Sequence, residues 1–166
     1  MQQTITWLGH GSWRMTTPKG TIIYLDPWIK GNPACPISLE QVDKADLVCV
    51  THGHSDHLGG LEALVGRIGR KGIPLILHPA AFKPSRYLKF GKTRHYFPAV
   101  MRKRFEKLGI RLVETRSPYP LLGGRALFLG EVMRDTPFEK GMPMAHFDDR
   151  GSEKWDPIEE DSALVM

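Results

Sequence analysis

With 166 residues, 41% of them apolar and 25% charged, and a net charge of +5, the chain has the make-up of one ordinary globular domain over residues 1–166. No run approaches the roughly 18 apolar residues a membrane span needs, and no basic flank with an apolar core marks a secretory leader, so a cytoplasmic chain without a membrane partner is expected. Two cysteines, Cys35 and Cys49, are too few for a disulfide framework.

Residues 4–8, 12–16 and 21–26 are rich in Ile, Trp, Thr and Tyr and predict three short strands, the last two joined by the turn Pro18-Lys19-Gly20. Prolines and Gly31 punctuate a loop over 27–36, and Ser38 with Gln41 offers a capping box for a short helix from Leu39. A compact buried strand is predicted over 46–51. Residues 58–70 predict a helix, with Leu61, Leu64, Val65 and Ile68 at helical spacing, and 74–78 a further buried strand. A basic block follows: Lys83, Arg86, Lys89, Lys92, Arg94, Arg102, Lys103, Arg104, Lys107 and Arg111, against the single acid Glu106. Such a block attracts phosphate or nucleic acid, or else forms a solvated face; nucleic acid is the less favoured partner. Within it, residues 98–108 predict a helix stopped by Gly109. A strand over 110–114 and a hairpin of 121–122 with 125–129 come next. Residues 131–160, polar and irregular, predict a long loop, and 162–166 a last strand. Strands around one clear strand-helix-strand unit predict an α/β layered domain.

Chemistry concentrates in Thr51-His52-Gly53-His54-Ser55-Asp56-His57, directly after a buried strand and before a helix. A divalent cation needs several nitrogens and oxygens converging at about 2.0–2.2 Å. Residues two apart on extended chain project to the same side, which aims His52 and His54 together. The turn into the helix then aims Asp56 and His57 at a second point nearby, so the loop can serve one or two ions. Imidazoles with one carboxylate suit Zn²⁺ first, with Fe or Mn as alternatives. His10 in its glycine-flanked loop, His78 at a strand end and His146 in the long loop are candidates for a supporting or substrate-pocket role.

This loop, with Leu58-Gly59-Gly60 after it, resembles the His-x-His-x-Asp-His signature of the metallo-β-lactamase superfamily. Leu8-Gly9-His10-Gly11-Ser12 and Tyr24-Leu25-Asp26-Pro27-Trp28 resemble the first strands of its metal-dependent hydrolase branch. The stretches Gly130-Glu131-Val132-Met133-Arg134-Asp135-Thr136-Pro137-Phe138-Glu139-Lys140-Gly141 and Asp161-Ser162-Ala163-Leu164-Val165 are similar to the branch that contains archaeal dihydropterin-phosphate synthases. The resemblance implies an αβ/βα sandwich with a metal-activated water at its edge. It implies that His52 and His54 bind one metal and Asp56 and His57 a second, that Asp56 also orients the attacking water as the catalytic residue, and that Asp26 supports the loop. In the resembled branch a further half-domain, with two more metal-binding histidines, follows the strand matching 162–166. The expectation is therefore an incomplete, N-terminal half of the sandwich: a truncated or split chain, one whose site is completed by a homo-oligomer partner or a second chain, or one that binds metal weakly. Two readings follow. One is a metal-dependent hydrolase acting through metal-activated water on a small, anionic ester or phosphate-bearing substrate; the other is a non-catalytic split relative that binds metal or a partner without turnover.

Overall fold

The computed structural model describes residues 2–139 and 141–166; Met1 and Lys140 lie outside the described residues. The first three predicted strands are present as β1 (Thr4–Trp7), β2 (Trp13–Thr16) and β3 (Ile22–Leu25), paired antiparallel in sequence. β4 (Leu47–Cys49), β5 (Pro74–Leu77) and β8 (Arg111–Glu114) then add in parallel, giving a six-stranded sheet in the order β1-β2-β3-β4-β5-β8.

Strand alternation sorts the apolar residues of β3, β4 and β5 onto two faces. Ile22, Tyr24, Val48, Leu75 and Leu77 face one side, where Leu61, Leu64 and Val65 of helix α2 (Leu61–Ile68) and Phe105 of α3 (Arg102–Lys107) cover them. Ile23, Leu47, Cys49 and Ile76 face the other side, against Leu121, Ala126 and Phe128. Those three come from a small antiparallel sheet of β9 (Tyr119–Leu121), β10 (Ala126–Phe128) and β13 (Leu164–Val165). The result is an α/β metallo-β-lactamase-like arrangement: helices, sheet, then a second sheet. Leu61 and Leu64 are fully buried, and each such side chain contributes about 1.5–3 kcal/mol.

Three expectations are corrected. The helix predicted over 58–70 starts later, as α2, and a separate short helix α1 (Ser55–Leu58) precedes it across Gly59-Gly60. A Cβ on Gly60 would lie 2.0 Å from the Pro27 carbonyl oxygen, so the chain there is pressed against the Asp26-Pro27-Trp28 turn and cannot carry a side chain. The helix predicted over 98–108 is confined to α3. The long loop predicted over 131–160 contains β11 (Ala145–Asp149) and β12 (Ser152–Trp155), hairpinned through Arg150-Gly151 at φ 56° and 84°. Positive φ at both central residues gives a turn whose twist matches that of the strands. With β6 (Arg86–Phe90) and β7 (Thr93–Tyr96), which the sequence did not predict, they make a four-stranded antiparallel sheet ordered β12-β11-β6-β7. Among the described residues, no helix is long and apolar enough to cross a membrane.

Candidate metal centre

The histidine loop leaves the C-terminal end of β4 beside the ends of β3 and β5, the edge where an open parallel sheet offers a crevice. Asp26, just past β3 and buried, holds the loop's start. One carboxylate oxygen accepts from the Thr51 backbone N–H at 2.7 Å and the other from the Thr51 hydroxyl at 2.6 Å. Asp26 also lies 2.9 Å from His57 Nδ1. With Nδ1 so engaged, His57 presents Nε2 to the site, 3.7 Å from Asp56 Oδ2. A carboxylate behind an imidazole fixes both tautomer and ring direction.

His52, His54 and Asp56 each offer a ligand atom within 4.8 Å of the others, and so do His10, Asp56 and His57. The His52 and His57 ring centroids are 3.7 Å apart, and those of His52 and His54 4.8 Å. His52 Nδ1 and His54 Nε2 are buried without a hydrogen-bond partner. A buried polar atom left unpaired costs about 1–3 kcal/mol, and bonding to a metal would offset that cost. Burial pushes the His54 imidazole down to about 4, helped by His52 and Arg86, leaving it neutral at pH 7 as a metal ligand must be. Burial alone would raise Asp56, but His57 and the hydrogen bond from His10 outweigh it and hold the carboxyl below its ordinary range. The donor set, with His54 held neutral and Asp56 held ionised, therefore fits a divalent transition metal.

Gly53 makes this packing possible. Its own Cβ would stand 2.5 Å from the Ala81 carbonyl oxygen and 2.5 Å from the Arg86 guanidinium. Its N–H donates to Glu160 Oε1 at 3.3 Å. Behind it lies a buried ion cluster that the sequence did not disclose. Arg86 (4% exposed) meets Asp156 at 2.8 Å and Glu160, both fully buried, while Lys83 meets Asp156 at 2.8 Å and also Glu159. On the open side Asp161 faces His52 Nδ1 at 3.6 Å, and Phe97 stacks on His54 at 4.2 Å between centroids. Beyond these, His54, Ser55, Asp56, Leu88, Phe97 and Met142 line an open cleft of about 330 Å³.

Of the four candidates outside the loop, the structure draws Asp26 and His10 to the site, and His10 Nε2 lies 2.8 Å from Asp56 Oδ2. His78 and His146 are corrections. His78 is fully buried, its Nδ1 accepting from the Ala80 N–H at 3.1 Å to cap the turn Pro79–Phe82, with Nε2 3.4 Å from Glu131. His146 pairs with Tyr87 across β11 and β6 and stacks on its ring, which puts it on the opposite strand face from Leu88 of the cleft. The basic block is largely neutralised within the fold. Six of its ten cations meet acids: Lys83 and Arg86 as above, Lys89 and Arg94 at Glu153, Arg102 at Glu114, and Arg104 at Glu62. This removes most of the charge on which a nucleic-acid partner rested.

A family model described as a beta-lactamase superfamily domain matches residues 4–89, more than half of the chain. A metal-dependent hydrolase from Cupriavidus necator is 32% identical over 165 residues, covering 89% of this chain and 55% of that protein. One from Koribacter versatilis is 60% identical over 55 residues, 33% of this chain and 24% of its own. The chain thus spans 55% or less of these curated relatives. Among solved structures, a metal-dependent hydrolase of the beta-lactamase superfamily aligns with a TM-score of 0.55 at 21% identity, over 75% of this chain and 43% of that one. A metallo hydrolase from Ignicoccus hospitalis aligns with a TM-score of 0.53 at 21% identity, over 91% and 57%. At such identities the likeness carries the fold.

Proposed function

Since the chain belongs to the metallo-β-lactamase superfamily, we propose that its histidine loop is the metal centre of a hydrolase, with His52, His54 and Asp56 holding one ion and Asp56 and His57 a second. The observation that carries this reading is the convergence of His52, His54 and Asp56, and of His10, Asp56 and His57, with the ligand atoms of each group within 4.8 Å of one another. Zinc is the metal that this ligand mixture suits first. When bound, zinc lowers the pKa of a coordinated water towards about 7 and polarises a carbonyl or phosphoryl oxygen.

The rest falls to the protein. Asp56, held ionised, accepts a hydrogen bond from the attacking water and orients it. Asp26 and Thr51 keep His57 from turning, and Phe97 keeps the His54 ring in plane. Leu88, Phe97 and Met142 give one side of the cleft an apolar wall. The substrate class that suits these features is a small ester or phosphate-bearing molecule, its anionic group at the metal and its apolar part against that wall. The test is a panel of chromogenic carboxylic and phosphate esters with zinc-loaded protein. Turnover is expected to fall at least about 100-fold in His52→Ala and Asp56→Ala. Turnover equal to wild type in both variants would refute the assignment.

A further inference from the structure

We propose that His10 is itself a metal ligand, closing the second coordination site together with Asp56 and His57. The inference rests on the reading of the histidine loop as a metal centre and adds a ligand from a different segment of the chain. His10 Nε2 and His57 Nε2 face the same Asp56 oxygen, at 2.8 and 3.7 Å. Two ligands bound tetrahedrally at zinc, each about 2.0–2.1 Å from it, are about 3.3 Å apart, and the two separations straddle that value. Asp56 belongs to both ligand groups, His52-His54-Asp56 and His10-Asp56-His57, so a shared carboxylate would join the two sites.

The backbone around His10 is built to deliver it there. His10 sits at φ 52°, in the left-handed region that side chains adopt infrequently, and such a conformation persists where the surroundings enforce it. The surroundings do so. Its carbonyl accepts from Trp7 Nε1 at 2.8 Å, the turn closes through Ser12 N to Gly9 O at 3.0 Å, and Asn32 Nδ2 donates to Leu8 O at 3.2 Å. Both neighbours are closely packed: a Cβ on Gly9 would lie 2.7 Å from the Ala34 carbonyl carbon, closer than the backbone can accept, and one on Gly11 would press on His57 Cε1 at 3.0 Å. The ring meets Trp28 and His57 edge-on, both at 5.7 Å between centroids. A surface histidine with no task needs none of this; a ligand must be held within a fraction of an ångström.

A histidine that merely hydrogen-bonds Asp56 is separated from a ligand by two variants. His10→Gln keeps an amide donor at similar reach, and His10→Asn keeps the residue type that best tolerates the left-handed backbone; neither supplies an imidazole. Zinc equivalents per chain and the visible spectrum of the Co²⁺-loaded protein are measured for wild type and both variants. Wild type is expected to take two ions. Both variants are expected to load the first site as before and to lose the second by more than about 100-fold, with free imidazole restoring the second cobalt spectrum. Two ions bound within about tenfold of wild type by His10→Gln, or a second site that imidazole does not restore, would overturn the assignment of His10 alone. A wild-type chain that takes one ion overturns it as well, and one that takes none overturns the metal reading with it.

Discussion

Replacing Arg86 by Met removes the charge behind Gly53 while keeping much of the side-chain volume. Asp156, fully buried, is then left with the ammonium of Lys83, already shared with Glu159, and the fully buried Glu160 with the Gly53 N–H. Breaking a buried ion pair from one side costs about 3–5 kcal/mol, because the remaining charge cannot regain its water. For a domain of this size each kcal/mol moves the midpoint by about 2–4 °C, so a fall of about 6–20 °C in Tm is expected. Adding Glu160→Gln removes the stranded charge and should recover part of the loss, making the pair non-additive by about 0.5–3 kcal/mol. Thermal and urea unfolding in chelator, where bound metal does not contribute to stability, measures all three variants. A loss below about 1 kcal/mol in Arg86→Met, or strict additivity, would show that the cluster carries no such weight.

Gly53→Ala forces a methyl group against the Ala81 carbonyl and Arg86, so it should cost about 1–3 kcal/mol and lower zinc content; unchanged values on both counts would refute the close-packing argument. Asp26→Asn leaves His57 without its anionic partner, and zinc affinity measured by competition should fall about 10–100-fold. Glu153 is held down to about 2 by Lys89 and Tyr87, with Arg94 adding to them, and it ties β6 and β7 to β12. A depressed folded-state pKa gives stability that is complete above the ordinary carboxyl range and lost as pH falls through the folded value. The Tm advantage of wild type over Glu153→Gln should therefore be constant near neutrality, shrink below about pH 4.5 and vanish near pH 2. An advantage that survives at pH 2 would contradict it.

The centre of the six-stranded sheet was legible because β3, β4 and β5 bury both faces and so are short apolar runs between turn residues. The histidine loop was legible because three imidazoles and a carboxylate within six residues have few other uses. The four-stranded sheet was not. Its strands Arg86–Phe90, Thr93–Tyr96, Ala145–Asp149 and Ser152–Trp155 are polar and are held by cross-strand pairs such as Lys89 and Arg94 with Glu153, which leave no periodic apolar trace. For the same reason Lys83 and Arg86 were indistinguishable from surface charges, although Arg86 is buried and Lys83 half-buried against acids more than 65 residues away. Sequence spacing also says nothing about which way a strand-end ring turns, so His10, His78 and His146 looked alike. Their backbones decide it: a left-handed turn, a cap and the far face of a strand.

The decisive measurement is anomalous diffraction at the zinc edge, on crystals of the zinc-equilibrated protein. A peak is expected at bonding distance from His52, His54 and Asp56, with a second beside His57. A map with zinc elsewhere or nowhere, and with those side chains placed as they stand here, would contradict the metal-centre assignment.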